Sequence, residues 1–361
     1  MNPKPSAPGG VPRLSPKRRF LKAFFGAQPD RVPVGNLVSI ATVELMKAAG
    51  AWFPSAHLDA QAMAELAAAG HTHLGYDTVM PVFSVTQEAA ALGCVVDWGA
   101  PDMMPGVRSH PFAQTDNPRL PEGWMDTPPI QVVLEALRRL RRALGEQVVI
   151  VGKVMGPWSL SYQMVGIEEF LISTKTEPER VRRWLEALKE VTIAFAREQM
   201  RAGADLVCVA DHTTGGMVSP LVYRDLVLPL HQEMVGRLGC PTVLHCCGNT
   251  TDRLHYFAQA GFDCYHFESQ VDPKTAVAAA AGQMSLAGNV NNPEVLLHGT
   301  PEAVAAACQR ALAAGVNILA PECAVPLTTP LRNLRVLVDV TEAALSGRVG
   351  TEAGCVDRPQ G

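Results

Sequence analysis

From about residue 145 onward, short apolar runs alternate with longer segments in which apolar residues recur at helical spacing. The runs are almost uniformly hydrophobic, which is typical of parallel strands buried on both faces. Six strands are predicted here: Val148–Lys153, Asp205–Ala210, Thr242–His245, Asp263–Phe267, Met284–Gly288 and Asn317–Ala320. The main predicted helices are Pro178–Met200, Pro220–Leu238, Asp252–Ala260, Pro273–Ala281, Pro301–Ala314 and Pro330–Leu345.

Two earlier strand-like runs, Val32–Val38 and Thr78–Phe83, bring the total to about eight strands. This number predicts an α/β fold, a single (β/α)8 TIM barrel with an elaborated N-terminal part. A doubly wound open sheet is the alternative, but no Gly-x-Gly-x-x-Gly follows any strand and no phosphate-binding loop occurs. We expect the barrel to occupy residues 17–346, between a flexible arm at 1–16 and a polar tail at 347–361.

Composition narrows the possible partners. The 361 residues are 47% hydrophobic and 6% aromatic and carry a net charge of −4, so no basic or base-stacking surface for nucleic acid is expected. Nine irregularly spaced cysteines do not form a disulfide pattern, which favours a reducing cytoplasm. Because no apolar run is long enough to cross a membrane, no membrane association is predicted.

Polar residues stand where several predicted strands end. They are Asp211, His245 with Cys247, Glu268, Asn289, and Glu322 with Cys323. The carboxyl ends of barrel strands converge on one mouth, where catalytic residues gather. Residues far apart in the sequence are therefore expected to face one pocket.

His245 and Cys247 are the most informative of these residues. Side chains alternate across a strand, so the two share a face while Cys246 points into packing. An imidazole and two thiolates, with Cys323 as the third ligand, suit a catalytic zinc ion that keeps one open position. A core histidine beside unreactive thiols is the alternative interpretation.

A Cys2His zinc site of this kind is suited to thiol activation. Zinc removes the proton from a bound thiol at neutral pH, and the resulting thiolate can attack an activated methyl group held in line. Such a zinc ion can also polarise a carbonyl, as in some dehydrogenases, but no nucleotide-binding fingerprint accompanies it here.

The chain resembles the uroporphyrinogen decarboxylase superfamily, and within it the zinc-dependent corrinoid methyltransferases that include methylcobamide:coenzyme M methyltransferases. The matching segments are Arg18–Phe20, Asp30–Val34, Gly156–Leu160, Val218–Pro220, His245–Asn249, Gly288–Val290, Gly299–Glu302, Cys323 and Thr329–Leu334. The Arg-Gln-Ala-Gly-Arg segment with which true decarboxylases grip porphyrin carboxylates is missing. Ala324, where many relatives have Gly, and the loop beginning Asp211-His212 depart from the commoner pattern.

The resemblance implies Zn²⁺ at His245, Cys247 and Cys323 and methyl transfer between a corrinoid and an acceptor, such as the thiol coenzyme M. It leaves three alternatives: demethylation of an O-, N- or S-methyl substrate onto a corrinoid protein, a decarboxylase-like lyase, and a non-catalytic corrinoid-binding protein. Corrinoid modules carry Asp-x-His-x-x-Gly, which is missing from this chain. The corrinoid is therefore expected as methylcobalamin or on a separate corrinoid protein.

Other strand-end and loop residues are weaker candidates. Asp211 and Glu268 are predicted to be catalytic, by orienting a ligand or moving a proton, with a loop cap as the alternative for Asp211. Substrate contacts are predicted at Tyr162, Asn249, Asn289 and Glu322, with helix capping as the alternative for Asn249. His57, His71, His73 and His110 show no ligand spacing.

Overall fold

A computed structural model of the chain describes residues 13–352. The strands are β1 Thr78–Val79, β2 Val96–Asp97, β3 Gly106–Val107, β4 Val149–Met155, β5 Leu206–Ala210, β6 Thr242–Cys246, β7 Cys264–Phe267, β8 Ser285–Val290 and β9 Ile318–Pro321. The first helices are α1 Pro16–Phe24, α2 Val43–Ala49, α3 Ser55–Leu58, α4 Ala60–Thr72, α5 Gln87–Ala91, α6 Pro128–Leu144, α7 Pro157–Val165 and α8 Ile167–Thr176. They are followed by α9 Pro178–Ala202, α10 Pro220–Val222, α11 Leu228–Leu238, α12 Leu254–Gln259, α13 Pro273–Ala280, α14 Pro301–Ala314 and α15 Leu331–Glu352.

Seven parallel strands form one sheet in the order β1-β4-β5-β6-β7-β8-β9. The segment 33–36 lies between the two edge strands, because Val34 pairs in parallel with Leu319 of β9 and accepts a hydrogen bond from the Asp77 amide beside β1. This segment takes the eighth strand position and curls the sheet into a barrel. The predicted α/β barrel is therefore confirmed, with β2 and β3 as an antiparallel pair in the N-terminal elaboration.

Some element boundaries differ from the prediction. Thr78–Phe83 was expected as one strand, but β1 ends at Val79, shortly before Pro81, which has no N–H to donate to a neighbouring strand. The predicted helix Pro220–Leu238 contains a π-helical stretch, Tyr223–Val227, directly before Leu228-Pro229.

The first and last helices cross the predicted domain boundaries. Helix α1 starts at Pro16, inside the predicted arm, and α15 runs to Glu352, beyond the predicted end at Leu345. The remainder of the arm, residues 1–12, and of the tail, residues 353–361, lies outside the described residues. None of the described helices is long and apolar enough to cross a membrane.

A repeated side-chain cap fixes the amino ends of the barrel strands. An Asp or Asn stands directly before each of β1, β5, β7 and β9. Its side-chain oxygen accepts a hydrogen bond from a backbone N–H near the start of the neighbouring strand. The four pairs are Asp77 with Val34 at 2.8 Å, Asp205 with Ile150 at 2.9 Å, Asp263 with Thr242 at 2.8 Å and Asn317 with Leu286 at 2.9 Å. These caps set the register of neighbouring strands at the end of the barrel opposite the mouth.

Contacts of β4 with a helix show which of its faces lines the barrel. A Cβ at Gly152 would lie 2.7 Å from Oε1 of Gln199 on α9, so Gly152 faces the outer helices. Since side chains alternate along a strand, Lys153 faces the interior. Paired residues on neighbouring strands point to the same side of the sheet. Lys153 pairs with Cys208, and Ala210, two residues further along β5, pairs with His245, so His245 also faces the interior.

A buried ionic network lies at the amino end. Asp30 accepts hydrogen bonds from Arg19 at 2.7 and 2.9 Å and from the Leu14 amide at 2.9 Å. Burial alone would raise the pKa of Asp30, but the hydrogen bonds and the charge of Arg19 outweigh burial and hold that pKa below its usual value. The network therefore favours the ionised carboxylate.

This depressed pKa predicts a loss of stability in acid. A carboxylate whose pKa is lower in the folded than in the unfolded state stabilises the fold above the unfolded pKa of about 3.9, and the contribution fades as the pH falls through the folded value. We expect Asp30→Asn to reduce the free energy of unfolding most above about pH 5. The difference from wild type should shrink in acid, as urea unfolding at several pH values will show; a constant difference would contradict the assignment.

Candidate metal centre

Strand β6 and the residue after it supply two ligand atoms. His245 lies on the interior face and is 5% exposed, whereas Cys246 points away and packs against Thr213, with its Sγ 3.6 Å from the threonine Oγ1. The chain then turns at Gly248, where φ is +77° and a Cβ would lie 2.2 Å from Thr214. Only glycine fits this turn, which returns Cys247 to the same side as His245.

Cys323 joins these two residues from the end of β9. The His245 Nε2 lies 3.0 Å from Cys247 Sγ and 3.4 Å from Cys323 Sγ, and the two sulfurs are 3.0 Å apart. The residues are separated by 76 positions in the chain, from Cys247 to Cys323, and meet only because the strands share one barrel. They form the one cluster of potential metal ligands within residues 13–352.

The donor set fits a zinc ion. Bonds of about 2.3 Å to sulfur and about 2.0–2.1 Å to nitrogen place tetrahedral ligands about 3.5–3.8 Å apart. The observed separations of 3.0–3.4 Å are slightly shorter, so a small outward movement of the side chains admits the ion. Two sulfurs and one imidazole leave one tetrahedral position open, and both cysteines are partly exposed.

The two thiols are coupled through one hydrogen bond. The bond from Cys247 holds the pKa of Cys323 well below the usual thiol range, and His245 nearby adds to this effect. The same bond, followed by burial, raises the pKa of Cys247 well above that range. The hydrogen bond therefore favours one thiolate and one thiol in the pair.

The acidic side of the mouth lies beside β7 and β9. Glu268 accepts a hydrogen bond from the Gly248 amide at 2.7 Å, which supports the loop that carries Cys247. Burial, and then the charge of Glu322, raises the pKa of Glu268. Glu322 accepts from the amides of Asn292 and Ser269 at 2.6 and 2.8 Å.

Asn289 and Asn249, two of the predicted substrate contacts, form hydrogen bonds within the fold. Asn289 donates to the Val271 carbonyl at 3.1 Å, and it is 9% exposed. Asn249 is exposed, and its side-chain oxygen accepts from the Thr251 amide at 3.1 Å. Because Asn249 is exposed, its side chain can be reached from solvent; Asn289 is largely enclosed.

Asp211 lies at the end of β5 with its carboxylate fully buried. One oxygen accepts from the Ser159 amide at 2.7 Å, and the other lies 2.9 Å from His231 Nε2. His231 Nδ1 in turn lies 2.9 Å from the Tyr223 hydroxyl, on the π-helical stretch. Both oxygens thus bind the scaffold, so Asp211 orders the loop that follows β5.

Tyr162 contacts that same loop. Its hydroxyl donates to the His212 carbonyl at 3.2 Å and accepts from Trp158 Nε1 at 2.5 Å. Burial, and then the charge of His245, lowers the pKa of His212. Tyr162 thus supports the backbone of the loop that follows β5.

Three buried polar residues near the mouth were not predicted as site residues. They are Lys153 on β4, His57 on α3 and Glu88 on α5. Lys153 ends an apolar run in the sequence and resembles a strand boundary, and His57 has no ligand-like spacing. Glu88 accepts from the Met155 amide at 2.8 Å, which places it at the carboxyl end of β4. Its only sequence signal is a carboxylate within an otherwise apolar segment.

Known proteins match nearly the whole described chain. Residues 15–344 match the family model Uroporphyrinogen decarboxylase (URO-D). A methylated-thiol–coenzyme M methyltransferase of Methanosarcina mazei is 32% identical over 91% of this chain and 89% of its own length. A methylcobamide:CoM methyltransferase of Methanosarcina acetivorans is 32% identical over 90% of this chain and 97% of its own.

Comparison with solved structures agrees with the sequence comparison. The solved structure of a methyltransferase from Methanosarcina mazei superposes with a TM-score of 0.89 at 30% identity and covers 92% of this chain and 99% of that one. The predicted resemblance is therefore confirmed. The chain belongs to the uroporphyrinogen decarboxylase (URO-D) family and is similar, over nine-tenths of its length, to methylcobamide:CoM methyltransferases.

Proposed function

We propose that the protein is a zinc-dependent methyltransferase that moves a methyl group between a corrinoid and a thiol acceptor, such as coenzyme M. The observation that carries the proposal is the convergence of His245 Nε2, Cys247 Sγ and Cys323 Sγ within 3.4 Å at the barrel mouth. Similarity to methylcobamide:CoM methyltransferases supports it.

When bound by these three residues, zinc would supply Lewis acidity that holds the acceptor sulfur as a thiolate. Transfer breaks the cobalt–carbon bond with both electrons remaining on cobalt, and a sulfur lone pair forms the new carbon–sulfur bond. The thiol proton leaves before this step. Glu268, which holds the Cys247 loop through the Gly248 amide, is the proposed acceptor of that proton.

The corrinoid is proposed to arrive as free methylcobalamin or on a separate corrinoid protein. The sequence contains no Asp-x-His-x-x-Gly, the segment whose histidine binds cobalt in corrinoid modules. An acceptor sulfur on zinc has to come within about 3–3.5 Å of the methyl carbon. The corrinoid is therefore expected to sit over the barrel mouth.

Methylcobalamin tests the proposal directly. We expect the zinc-loaded protein to remove the absorption band of the methyl–cobalt bond only when a thiol is present, and to release about one proton per site when the thiol binds in weak buffer. The chelator-treated protein should do neither, and restoring zinc should restore both.

Two other outcomes would replace the proposal. Methylation of a reduced corrinoid by a methyl thioether, without reaction of methylcobalamin with thiols, would favour the demethylating half-reaction, which agrees with the similarity to a methylated-thiol–coenzyme M methyltransferase. Corrinoid binding with no turnover in either direction would leave a non-catalytic corrinoid-binding protein.

A further inference from the structure

The second ring nitrogen of His245 has no partner in the fold. Nε2 lies 3.0 Å from Cys247 Sγ and 3.4 Å from Cys323 Sγ, whereas Nδ1 is buried and makes no hydrogen bond with any residue in the described range 13–352. A histidine that binds a metal through one nitrogen usually donates its other N–H to a carboxylate, a carbonyl or a water, and that bond fixes the ring. Since no described carboxylate or carbonyl serves His245 in this way, the orientation of its ring depends on another contact.

The orientation of this ring decides whether it can bind a metal. Rotation about the Cβ–Cγ bond of histidine is broad and roughly two-fold. A half-turn puts the carbon Cε1 where Nε2 stands, and carbon cannot serve as the ligand. The site would then retain only the two sulfurs. A neighbouring group therefore has to hold the His245 ring in one of its two positions.

His266 makes such a contact from the adjacent strand. It pairs in register with His245 across β6 and β7, so both side chains lie on the interior face of the sheet. The two ring centroids are 4.6 Å apart, and the ring planes are 33° from parallel. His266 is fully buried. A half-turn of the His245 ring sweeps its edge through the space beside its face, so the turn has to displace the His266 ring.

One hydrogen bond holds the His266 ring in place. Its Nε2 donates to the Pro321 carbonyl of β9 at 2.8 Å, while its Nδ1 has no partner among residues 13–352. The ring reaches β9 across β8, where its register partner Ala287 carries only a methyl group. Pro321 stands two residues before Cys323 in the chain. His266 thus contacts the ligand on β6 and is bonded to the strand end that leads to the ligand after β9.

We propose that His266 is a positioning residue of the metal centre. Its ring keeps Nε2 of His245 directed at the two cysteines, and its hydrogen bond holds the end of β9 that carries Cys323. The inference rests on the proposed function for the presence of a metal ion at these ligands. His266 acts through the ligands and takes no part in methyl transfer itself.

Packing alone is the alternative role for His266. A residue that only fills the core contributes to the free energy of unfolding, but it does not set the geometry of the ligands. Its replacement would then lower the stability and leave the zinc affinity of the folded protein unchanged. The affinity for zinc, measured on folded protein, therefore distinguishes the two roles.

Three replacements separate the ring from its hydrogen bond. His266→Phe keeps an aromatic ring and removes the donor, His266→Gln keeps an N–H at a similar reach and removes the ring, and His266→Ala removes both. Loss of a residue that orients a metal ligand costs about 10–100-fold in metal affinity. We expect zinc affinity, measured by competition with a chromophoric chelator, to fall about 100-fold for the Ala variant and about 10-fold for the Phe and Gln variants.

Co²⁺ in place of Zn²⁺ reports the ligand geometry directly. The wild-type Co²⁺ protein should show the intense visible bands of a four-coordinate site with sulfur ligands. His266→Ala should lose much of this intensity, because the His245 imidazole no longer keeps its position. His266→Phe and His266→Gln should show intermediate spectra.

Phe267→Leu is the matched control. Phe267 is the next residue on β7 and is fully buried, but its side chain lies on the opposite face of the strand. Its replacement should lower the midpoint of urea unfolding and leave the zinc affinity and the Co²⁺ spectrum unchanged. An equal loss of zinc affinity in Phe267→Leu would refute the positioning role, because weakened packing alone would then explain the effect.

Zinc binding and methyl transfer are separate measurements, so the two proposals can fail separately. If wild type binds zinc, the His266 variants lose affinity as stated and no thiol is methylated, then the positioning role stands and the proposed function fails. If wild type methylates thiols and the folded His266 variants bind Zn²⁺ and Co²⁺ as wild type does, then the function stands and the positioning role is refuted.

Discussion

Cys323→Ala is expected to lose almost all bound zinc and to reduce methyl transfer from methylcobalamin to a thiol by at least about 1,000-fold. Two protein ligands remain, His245 and Cys247, and these are too few to retain the ion against a mild chelator. The fold should persist, because Cys323 lies after the end of β9 and contributes no strand pairing. Metal analysis and circular dichroism on the same sample will show both results.

Cys246→Ala is the matched control for this prediction. Cys246 is adjacent to Cys247, but its side chain is fully buried on the opposite face of β6. Its replacement should leave the zinc content unchanged and cost about 1 kcal/mol of stability through a small cavity. Tight zinc binding by Cys323→Ala, or zinc loss by Cys246→Ala, would show that the ligand assignment is wrong.

Asp77→Ala is expected to destabilise the barrel by about 3–5 kcal/mol. The carboxylate is fully buried and accepts from Arg19 at 2.8 Å, from Arg31 at 3.1 Å and from the Val34 amide at 2.8 Å. Its removal leaves two buried guanidinium groups undercompensated and one backbone N–H of the closing strand unpaired. Urea unfolding, followed by tryptophan fluorescence, will measure the change in the free energy of unfolding.

Glu135 offers a surface control with three ion pairs, against two for Asp77. It contacts Arg138, Arg139 and Arg142 at 3.1–3.6 Å, but all four side chains are at least 36% exposed. Exposed pairs are screened by solvent, so Glu135→Ala should cost less than about 1 kcal/mol. Similar losses in the Asp77 and Glu135 variants would mean that burial does not set the strength of this network.

Local pattern was sufficient to predict the six strands from residue 145 onward and the candidate ligand cluster. Strands such as Leu206–Ala210 and Thr242–Cys246 are buried on both faces, so nearly all of their residues are apolar. Each strand can therefore be recognised from its own short segment of sequence. The alternation that places His245 and Cys247 on one side of β6 is equally local. Cys323 could be added because parallel strands deliver their carboxyl ends to one mouth.

What the sequence does not show depends on tertiary contacts. A strand was predicted over Val32–Val38, but this segment forms only an isolated bridge, Val34 with Leu319, and the limits of that pairing depend on its neighbours in the barrel. The inward direction of Lys153 follows from the contact between Gly152 and Gln199, which are distant in the chain. His57 becomes notable only once its two ring nitrogens are seen to have no hydrogen-bond partner among the described residues 13–352. No spacing rule detects an absent hydrogen bond.

The side-chain caps at the amino ends of the strands have a consequence for how this protein can diverge. Each cap joins residues between 21 and 55 positions apart and lies at the end of the barrel away from the metal centre. Register is therefore held without help from the loops that surround the mouth. Those loops can therefore change in sequence while the strands keep their alignment, so new specificity can arise at the mouth without loss of the fold at the other end.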